Sequence, residues 1–228
     1  MVIGYCAFMN QFVYSNKNNT PACIKIKGHV GQIMNNAFVI NYPRVNETIK
    51  RRIRSIEITN ENNSNVTSLA LQNMTIEDNS FLWTMNSTLP DTVGRVSISG
   101  PMQAIGEYAF GENNAMNFVT INNTSDNAGL DIGKGAFSNS FKRNEEGILN
   151  INGKLTNIGV EAFKDCDNLK TANINSATEF GIGTNAFSNA ISLCELNYDN
   201  GVEATTRTLP QKRSTSAAMP SQTRDLPK

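Results

Sequence analysis

Little in this 228-residue sequence suits a metal site or a catalytic centre. It contains one histidine, His29, and four cysteines with no C-x-x-C spacing. Zinc sites usually combine several closely spaced cysteines and histidines, and a Ser-His-Asp or Cys-His site would have to use His29. No nucleophile elbow and no phosphate-binding loop is present. We therefore predict that the protein is not an enzyme and that it holds neither a metal nor a cofactor.

Long apolar runs and an excess of one charge are also missing. No run of 18 apolar residues occurs, so we predict no membrane span. The formal net charge is zero, which gives no general attraction to nucleic acid. Basic residues do cluster between Pro43 and Arg54, but no aromatic platform for bases accompanies them. We interpret that segment as a solvated insertion and predict that nucleic acid is not a partner.

What the sequence does contain is a motif that recurs along the chain. The motif I-G-x-x-A-F begins at Ile3, Ile105, Ile132, Ile158 and Ile182. Self-similarity at a spacing of about 24 to 40 residues indicates stacked repeats, that is, a solenoid. Two worn copies fill the gap in the series: Ile33 with Ala37 and Phe38, and Val66 with Ala70 and Leu71.

A short alternating apolar segment precedes each motif and predicts a half-buried strand. Such strands are too short to be stable alone, so each is expected to pair in parallel with the strand of the next repeat, one strand per repeat. The predicted strands are Ile24-Lys-Ile26, Ile56-Glu-Ile58, Val96-Ser-Ile98, Val119-Thr-Ile121, Leu149-Asn-Ile151, Ala172-Asn-Ile174 and Leu196-Asn-Tyr198.

The residue types of the motif predict its packing. Ile points into the core, Gly permits a tight turn or a positive φ, and Ala leaves room for the backbone. Phe supplies the large apolar side chain, and the residues after it suit one helical or 3-10 turn. We expect an internal column of Phe8, Phe38, Phe110, Phe137, Phe163 and Phe187, with Leu71 in the worn repeat.

The unit from Ile158 to Ile174 reads I-G-V-E-A-F-K-D-C-D-N-L-K-T-A-N-I and resembles the BspA-type leucine-rich repeat, a family named after a bacterial surface antigen. The resemblance covers about residues 3 to 200 and implies a parallel-sheet solenoid with a surface-exposed role in adhesion or protein binding. The cysteine of the family pattern is present only at Cys166. Asn113, Ser140 and Ala190 hold its place elsewhere.

These patterns predict two regions. Residues 1–200 form an α/β-type repeat solenoid of about seven units, dominated by strands, which starts in the middle of a repeat. The first core layer is then expected to lack a cap, so either the chain continues a longer protein or a partner covers that edge. Residues 201–228 are rich in Ser, Thr, Pro and basic residues and are predicted to be a disordered tail.

Two features leave alternatives open. The irregular segment 72–92 holds the only tryptophan, Trp83. It is either a binding loop or, as we prefer, a strand or plug in which Phe81-Leu82-Trp83 is buried against the flank of the solenoid. The four cysteines fall at different points of the unit, so we expect buried free thiols: Cys6, Cys23, Cys166 and Cys194.

The outward residues of the strands form the candidate ligand face. They either bind a protein or glycan ligand on a host or neighbouring cell or, for the asparagines, bond each other in a stabilising amide ladder. No exposed aromatic or arginine anchor is expected among them, so binding would be weak per site. The family resemblance favours a cell-surface or secreted adhesion module, whereas free cysteines and the missing export signal favour a cytoplasmic scaffold or spacer. The predicted face comprises Ser97, Ser99, Thr120, Asn122, Asn150, Asn152, Asn173, Asn175, Asn197 and Asp199.

Overall fold

The computed structural model describes residues 1–9, 22–40, 53–61, 73–85, 94–142, 147–199 and 204–208. In these residues the chain forms fifteen strands and no helix. In chain order they are β1 (Val2–Ile3), β2 (Ala22–Gly28), β3 (Gln32–Ile33), β4 (Ile53–Asn60), β5 (Met74–Ile76), β6 (Gly94–Gly100), β7 (Met102–Ile105), β8 (Met116–Asn123), β9 (Leu130–Ile132), β10 (Gly147–Gly153), β11 (Leu155–Ile158), β12 (Leu169–Asn175), β13 (Gly181–Ile182), β14 (Glu195–Asp199) and β15 (Ala204–Thr208).

The strands form two sheets that face each other across the core of a solenoid. The odd-numbered strands from β1 to β13 form sheet A, and the even-numbered strands from β2 to β14 form sheet B, both parallel throughout. The predicted solenoid is confirmed, but each repeat supplies two strands where we predicted one. Sequence alternation missed sheet A because its strands are only two to four residues long.

The alternating segments that we predicted are the strands of sheet B. Their register places Ile56 beside Val96 and Leu149 beside Ala172, so equivalent core residues of successive repeats are neighbours. These side chains are at most 2% exposed. A shift of one residue would turn every one of them outward, so burial fixes the register.

Seven phenylalanine rings stack in one column inside the solenoid. Neighbouring ring centroids lie 4.8 to 5.2 Å apart, with ring planes within 10° of parallel. The prediction that Leu71 fills the worn repeat is wrong, because Phe38 stacks directly on Phe81. Val66, Ala70 and Leu71 lie outside the described residues. The column comprises Phe8, Phe38, Phe81, Phe110, Phe137, Phe163 and Phe187.

The turns that carry the column contain no helix in the described residues, so the short helical or 3-10 turns that we predicted are not shown. Alternate backbone donors bond to the next repeat, and those between them close turns within the repeat, as the Ala109 amide does by donating to the Gly106 carbonyl oxygen at 3.3 Å. The Phe110 amide donates to the Ala136 carbonyl oxygen at 2.7 Å, and the Phe137 amide donates to the Ala162 carbonyl oxygen at 2.8 Å. Because these donors are used between repeats, they are not available for successive bonds within a helix.

The motif glycine acts through close approach between repeats. A β-carbon at Gly159 would lie 2.7 Å from the carbonyl carbon of Gly133, which is too close for any side chain. The glycine itself does not have a left-handed φ. That conformation occurs two residues later, for example at Glu161 with φ 58° and Asn185 with φ 58°. Of the two roles that we predicted for this glycine, the positive φ is therefore wrong.

Three residues after four of the phenylalanines (Phe81, Phe110, Phe137 and Phe163), a small buried donor ties neighbouring repeats together. Cys166 Sγ donates to the Phe137 carbonyl oxygen at 3.2 Å, and Ser140 Oγ donates to the Phe110 carbonyl oxygen at 3.1 Å. Asn113 donates equivalently to Phe81, and Thr84 donates to Phe38. Thr, Asn, Ser and Cys all make this bond, so the residue type varies among compact donors in these four repeats, whereas Ala190 holds the position after Phe187 without a side-chain donor.

Sheet B continues beyond residue 200. Strand β15 (Ala204–Thr208) pairs antiparallel with β14, with Thr206 opposite Asn197. The prediction of a disordered tail from residue 201 is therefore wrong for Ala204–Thr208. Residues 209–228 lie outside the described part of the chain.

Candidate ligand face

The outer face of sheet B gathers all ten predicted ligand-face residues. The register arranges its outward side chains in three rows that run along the solenoid, one strand spacing of about 4.8 Å per step. The middle row comprises Lys25, Glu57, Ser97, Thr120, Asn150, Asn173 and Asn197. The third row comprises Lys27, Thr59, Ser99, Asn122, Asn152, Asn175 and Asp199.

Asparagines in these rows form two amide ladders. In the middle row Asn197 donates to Asn173 and Asn173 donates to Asn150, each at 2.8 Å between Nδ2 and Oδ1. The third row has the same arrangement over Asn175, Asn152 and Asn122, at 2.8 and 2.7 Å. An amide has two donor hydrogens and two acceptor lone pairs. An asparagine inside a ladder therefore keeps one donor and one lone pair for solvent or a ligand.

The opposite end of the face is charged rather than amide-rich. Lys25 Nζ lies 3.0 Å from Glu57 Oε2, and Lys27 Nζ lies 3.4 Å from Glu61 Oε1. The hydrogen bond and the negative charge of Glu57 raise the pKa of Lys25. Exposed ion pairs of this kind contribute little to the stability of the fold, so these lysine and glutamate side chains can change partners at little cost.

A first row, which sequence reasoning missed, lies beside the middle row. It comprises Cys23, Ser55, Arg95, Phe118, Ile148, Thr171 and Glu195. The Arg95 Cζ atom lies 4.2 Å from the centroid of the Phe118 ring, and Arg95 is exposed. Half-buried Ile148 is the next residue in the row. The two rows that we predicted contain no aromatic or arginine residue, and the anchor lies in this neighbouring row, which we did not predict.

The sequence did hold a signal for this row. Arg95 and Phe118 each directly precede the first core residue of their strand, Val96 and Val119. Extending the alternation one step backwards places both side chains outward. The strands also pair irregularly at this point, because Gly94 pairs with Met116 but Arg95 pairs with Phe118.

The cysteines occupy different environments. All four are free thiols, but only Cys166 is buried; Cys23 is exposed on the first row, and Cys6 and Cys194 are half-buried. The prediction of burial is therefore confirmed for Cys166 and wrong for Cys23. Burial raises the pKa of the Cys166 thiol to about 12 from an ordinary value of 9.0.

No metal cluster appears in the part of the chain that the structure describes. No group of three histidine, cysteine or acidic residues there is suited to hold a metal ion. His29 Nδ1 lies 3.4 Å from the carbonyl oxygen of Glu61, a backbone contact. Within the described ranges, no helix is long and apolar enough to cross a membrane.

The repeat pattern also matches a known family. The model for the BspA type leucine rich repeat region matches residues 90–209 in six copies, which is more than half of the chain. The chain belongs to the BspA-type leucine-rich repeat family. The BspA-type repeats are generally non-enzymatic and typically surface-associated, and they suggest a protein-binding or surface repeat module. The searches of curated proteins and of solved structures gave no match.

The BspA-type family model begins at residue 90, but the geometry of the repeat does not. The phenylalanine column continues through Phe81, Phe38 and Phe8 with unchanged spacing. Sheet A likewise continues through Ile76, Ile33 and Ile3. The repeats before residue 90, which match the motif less well, therefore still place isoleucine and phenylalanine at the positions that face the core.

Proposed function

We propose that this BspA-type chain is a non-catalytic binding module for cell-surface adhesion, and that the outer face of sheet B contacts its partner. The partner is a protein or glycan on the surface of a host or neighbouring cell. The observation that carries the proposal is the Arg95 guanidinium, stacked 4.2 Å from the Phe118 ring. In the described part of the chain, Arg95 has no carboxylate partner.

Arginine and aromatic side chains supply much of the binding energy in protein interfaces. Here both lie beside the hydroxyl groups of Ser97 and Thr120, with Ile148 as an adjoining apolar contact. The amide ladders begin next to this group, and their remaining donors and lone pairs supply a polar rim. An apolar and cationic centre with a polar surround is the usual composition of an interface.

Binding of the purified chain to intact cells, measured by flow cytometry over a panel of cell types, tests the proposal. We expect the double variant Arg95→Gln with Phe118→Thr to bind at least about tenfold more weakly, because hot-spot truncations cost more than 1 kcal/mol each. The matched control is Lys134→Gln with Tyr108→Asn, which removes a second cation–aromatic pair of the described residues, 5.9 Å apart and outside sheet B.

Two results would overturn the proposal. Equal loss of binding in both double variants would indicate a general effect on the fold, which thermal unfolding would confirm. Full binding by the Arg95 and Phe118 variant to every cell that binds the parent chain would exclude the outer face of sheet B as the contact surface.

A second candidate function is an intracellular scaffold or spacer. The observation that favours it is the set of free thiols, with Cys23 exposed, because such thiols persist in a reducing compartment. Protease treatment of intact source cells, followed by detection with an antibody to residues 100–200, separates the two functions. Cleavage on intact cells supports the surface module, and complete protection supports the scaffold.

A further inference from the structure

A cleft on the turn side of the solenoid is separate from sheet B. It has a volume of about 350 Å³ and is lined by residues of the first three turns, including Tyr5, Asn36, Asn79, Leu82 and Trp83. None of its lining residues carries a formal charge. A volume of this size is within the range of small-ligand sites.

The floor of the cleft carries two amides from successive repeats. Asn36 and Asn79 occupy equivalent turn positions with φ 58° and 55°, a conformation that asparagine tolerates. Their backbone amides are used between repeats, donating to the carbonyl oxygens of Asp78 at 3.3 Å and Glu107 at 2.9 Å. Their side-chain amides make no hydrogen bond within the described residues. Each therefore presents a full set of donors and acceptors.

Aromatic rings flank these amides. Tyr5 is 65% exposed, and Trp83 is half-buried. Trp83 has φ 57°, as do Glu112 and Asn139 at the equivalent turn position of the next two repeats. The left-handed φ at this position is thus a feature of the repeat itself, shared by Asp165 and Asn189. The turn alone does not require an aromatic residue at this position.

We propose that this cleft binds a neutral carbohydrate chain. Amides both donate and accept hydrogen bonds, as sugar hydroxyl groups do, and aromatic rings pack against the apolar faces of sugar rings. The uncharged lining offers no cationic partner for a phosphate or a carboxylate. The two amides recur at the repeat spacing of about 4.8 Å, which suits a ligand that itself repeats. This site does not depend on the proposed role of sheet B.

The chain contains one tryptophan, so its intrinsic fluorescence reports on the cleft directly. We would screen the purified chain against an array of neutral and acidic oligosaccharides and titrate the bound ones while recording Trp83 emission. We expect neutral oligosaccharides to bind and to change the emission. Absence of any such change at millimolar concentrations, or binding of acidic sugars alone, would overturn the proposal.

Glycine variants separate ligand binding from folding. Asn36→Gly and Asn79→Gly remove the amides while glycine accepts the left-handed φ without strain. We expect the double variant to bind the oligosaccharide about tenfold more weakly, consistent with the loss of two net hydrogen bonds. Asn185→Gly is the matched control, since Asn185 has φ 58° at the equivalent position far from the cleft.

The control variant should bind with unchanged affinity. Unchanged binding by the Asn36 and Asn79 variant, or an equal loss in the Asn185 variant, would contradict the assignment. The Arg95 and Phe118 variant of sheet B should retain oligosaccharide binding at the cleft, so failure of one proposal leaves the other testable. A synthetic peptide that changes the Trp83 emission when no oligosaccharide does would instead identify a peptide site and overturn the carbohydrate assignment.

Discussion

The solenoid stacks identical side chains in two places, one inside the core and one on its surface. The inner phenylalanine column passes through all seven turns, whereas the outer amide ladders cover only the strands from β8 to β14. When a buried ring loses a neighbouring ring, nothing replaces the lost packing contacts. When a surface amide loses a neighbouring amide, water can take over the hydrogen bond. The core side chains are therefore retained in every repeat, and the outer side chains are free to vary.

The largest effect is expected from breaking the inner column. Phe110 is fully buried between Phe81 and Phe137, with ring centroids 4.9 and 5.2 Å away. Phe110→Ala should lower the free energy of unfolding by about 3–5 kcal/mol, because the cavity cannot close between fixed repeats. Chemical denaturation measures this loss. Phe187→Ala, at the half-buried end of the column, should cost clearly less, and equal losses would contradict the importance of stacking from both sides.

A smaller effect is expected from forcing the repeats apart. Gly159→Ala would place a β-carbon 2.7 Å from the backbone of Gly133, so we expect a loss of about 1–3 kcal/mol in the free energy of unfolding. Gly4→Ala is the matched control at the same motif position, where nothing lies within 4 Å. A similar loss in both variants would show that the backbone conformation of glycine, rather than close approach, is what the motif requires.

The buried donor row gives a comparison that depends on pH. The pKa of Cys166 is about 12 in the folded protein and near 9.0 when exposed, so above pH 9 the unfolded state loses the thiol proton first. The contribution of the thiol to stability is thus fully present below pH 9 and declines as the pH rises towards 12, by about 1.4 kcal/mol at pH 10. Denaturation at pH 7.5 and pH 10 measures this decline.

Cys166→Ser is the control for that measurement. Serine already makes the equivalent bond at Ser140, 3.1 Å from the Phe110 carbonyl oxygen, and it does not ionise in this range. The stability of the parent chain relative to this variant should fall between the two pH values. A constant difference would mean that Cys166 is not shielded from ionisation by burial.

The smallest effect is expected from breaking an outer ladder. Asn173→Ala removes two amide bonds of 2.8 Å, and we expect a loss of about 1 kcal/mol or less in the free energy of unfolding. Asn175→Ala, at the end of the other ladder, removes one such bond and should cost about half as much. Losses near those of Phe110→Ala would show that the outer ladders stabilise the solenoid as much as the inner column does.

Sequence reasoning succeeded where side chains face the core and repeat. The isoleucine and phenylalanine positions, together with alternation in segments such as Ile56-Glu-Ile58, were sufficient to predict sheet B and most of the column. Phe81 was missed because Ser80 and Glu77 replace the alanine and glycine of the motif, although Phe81 is fully buried. The glycine and alanine of the motif are thus less constant along the chain than the phenylalanine that fills the core.

The candidate site was predicted in part for a similar reason. All ten predicted ligand-face residues share one surface, because period-two alternation fixes which side chains point outward. Arg95 and Phe118 were missed because the strands were taken to start at their first core residue. The turn-side cleft depends on how Tyr5 and Trp83 are brought together from different repeats, and no local pattern encodes that proximity.

The hydrogen bonds between repeats, in sheets and turns alike, run along the axis of the solenoid. A pulling force along that axis acts equally on every interface in the stack, and the weakest interface separates first, so the repeats should unfold one at a time. Each repeat of about 26 residues would release roughly 90 Å of chain as it extends. A chain held at both ends would then lengthen in steps and dissipate mechanical work, which is the behaviour of a tether that stretches under load.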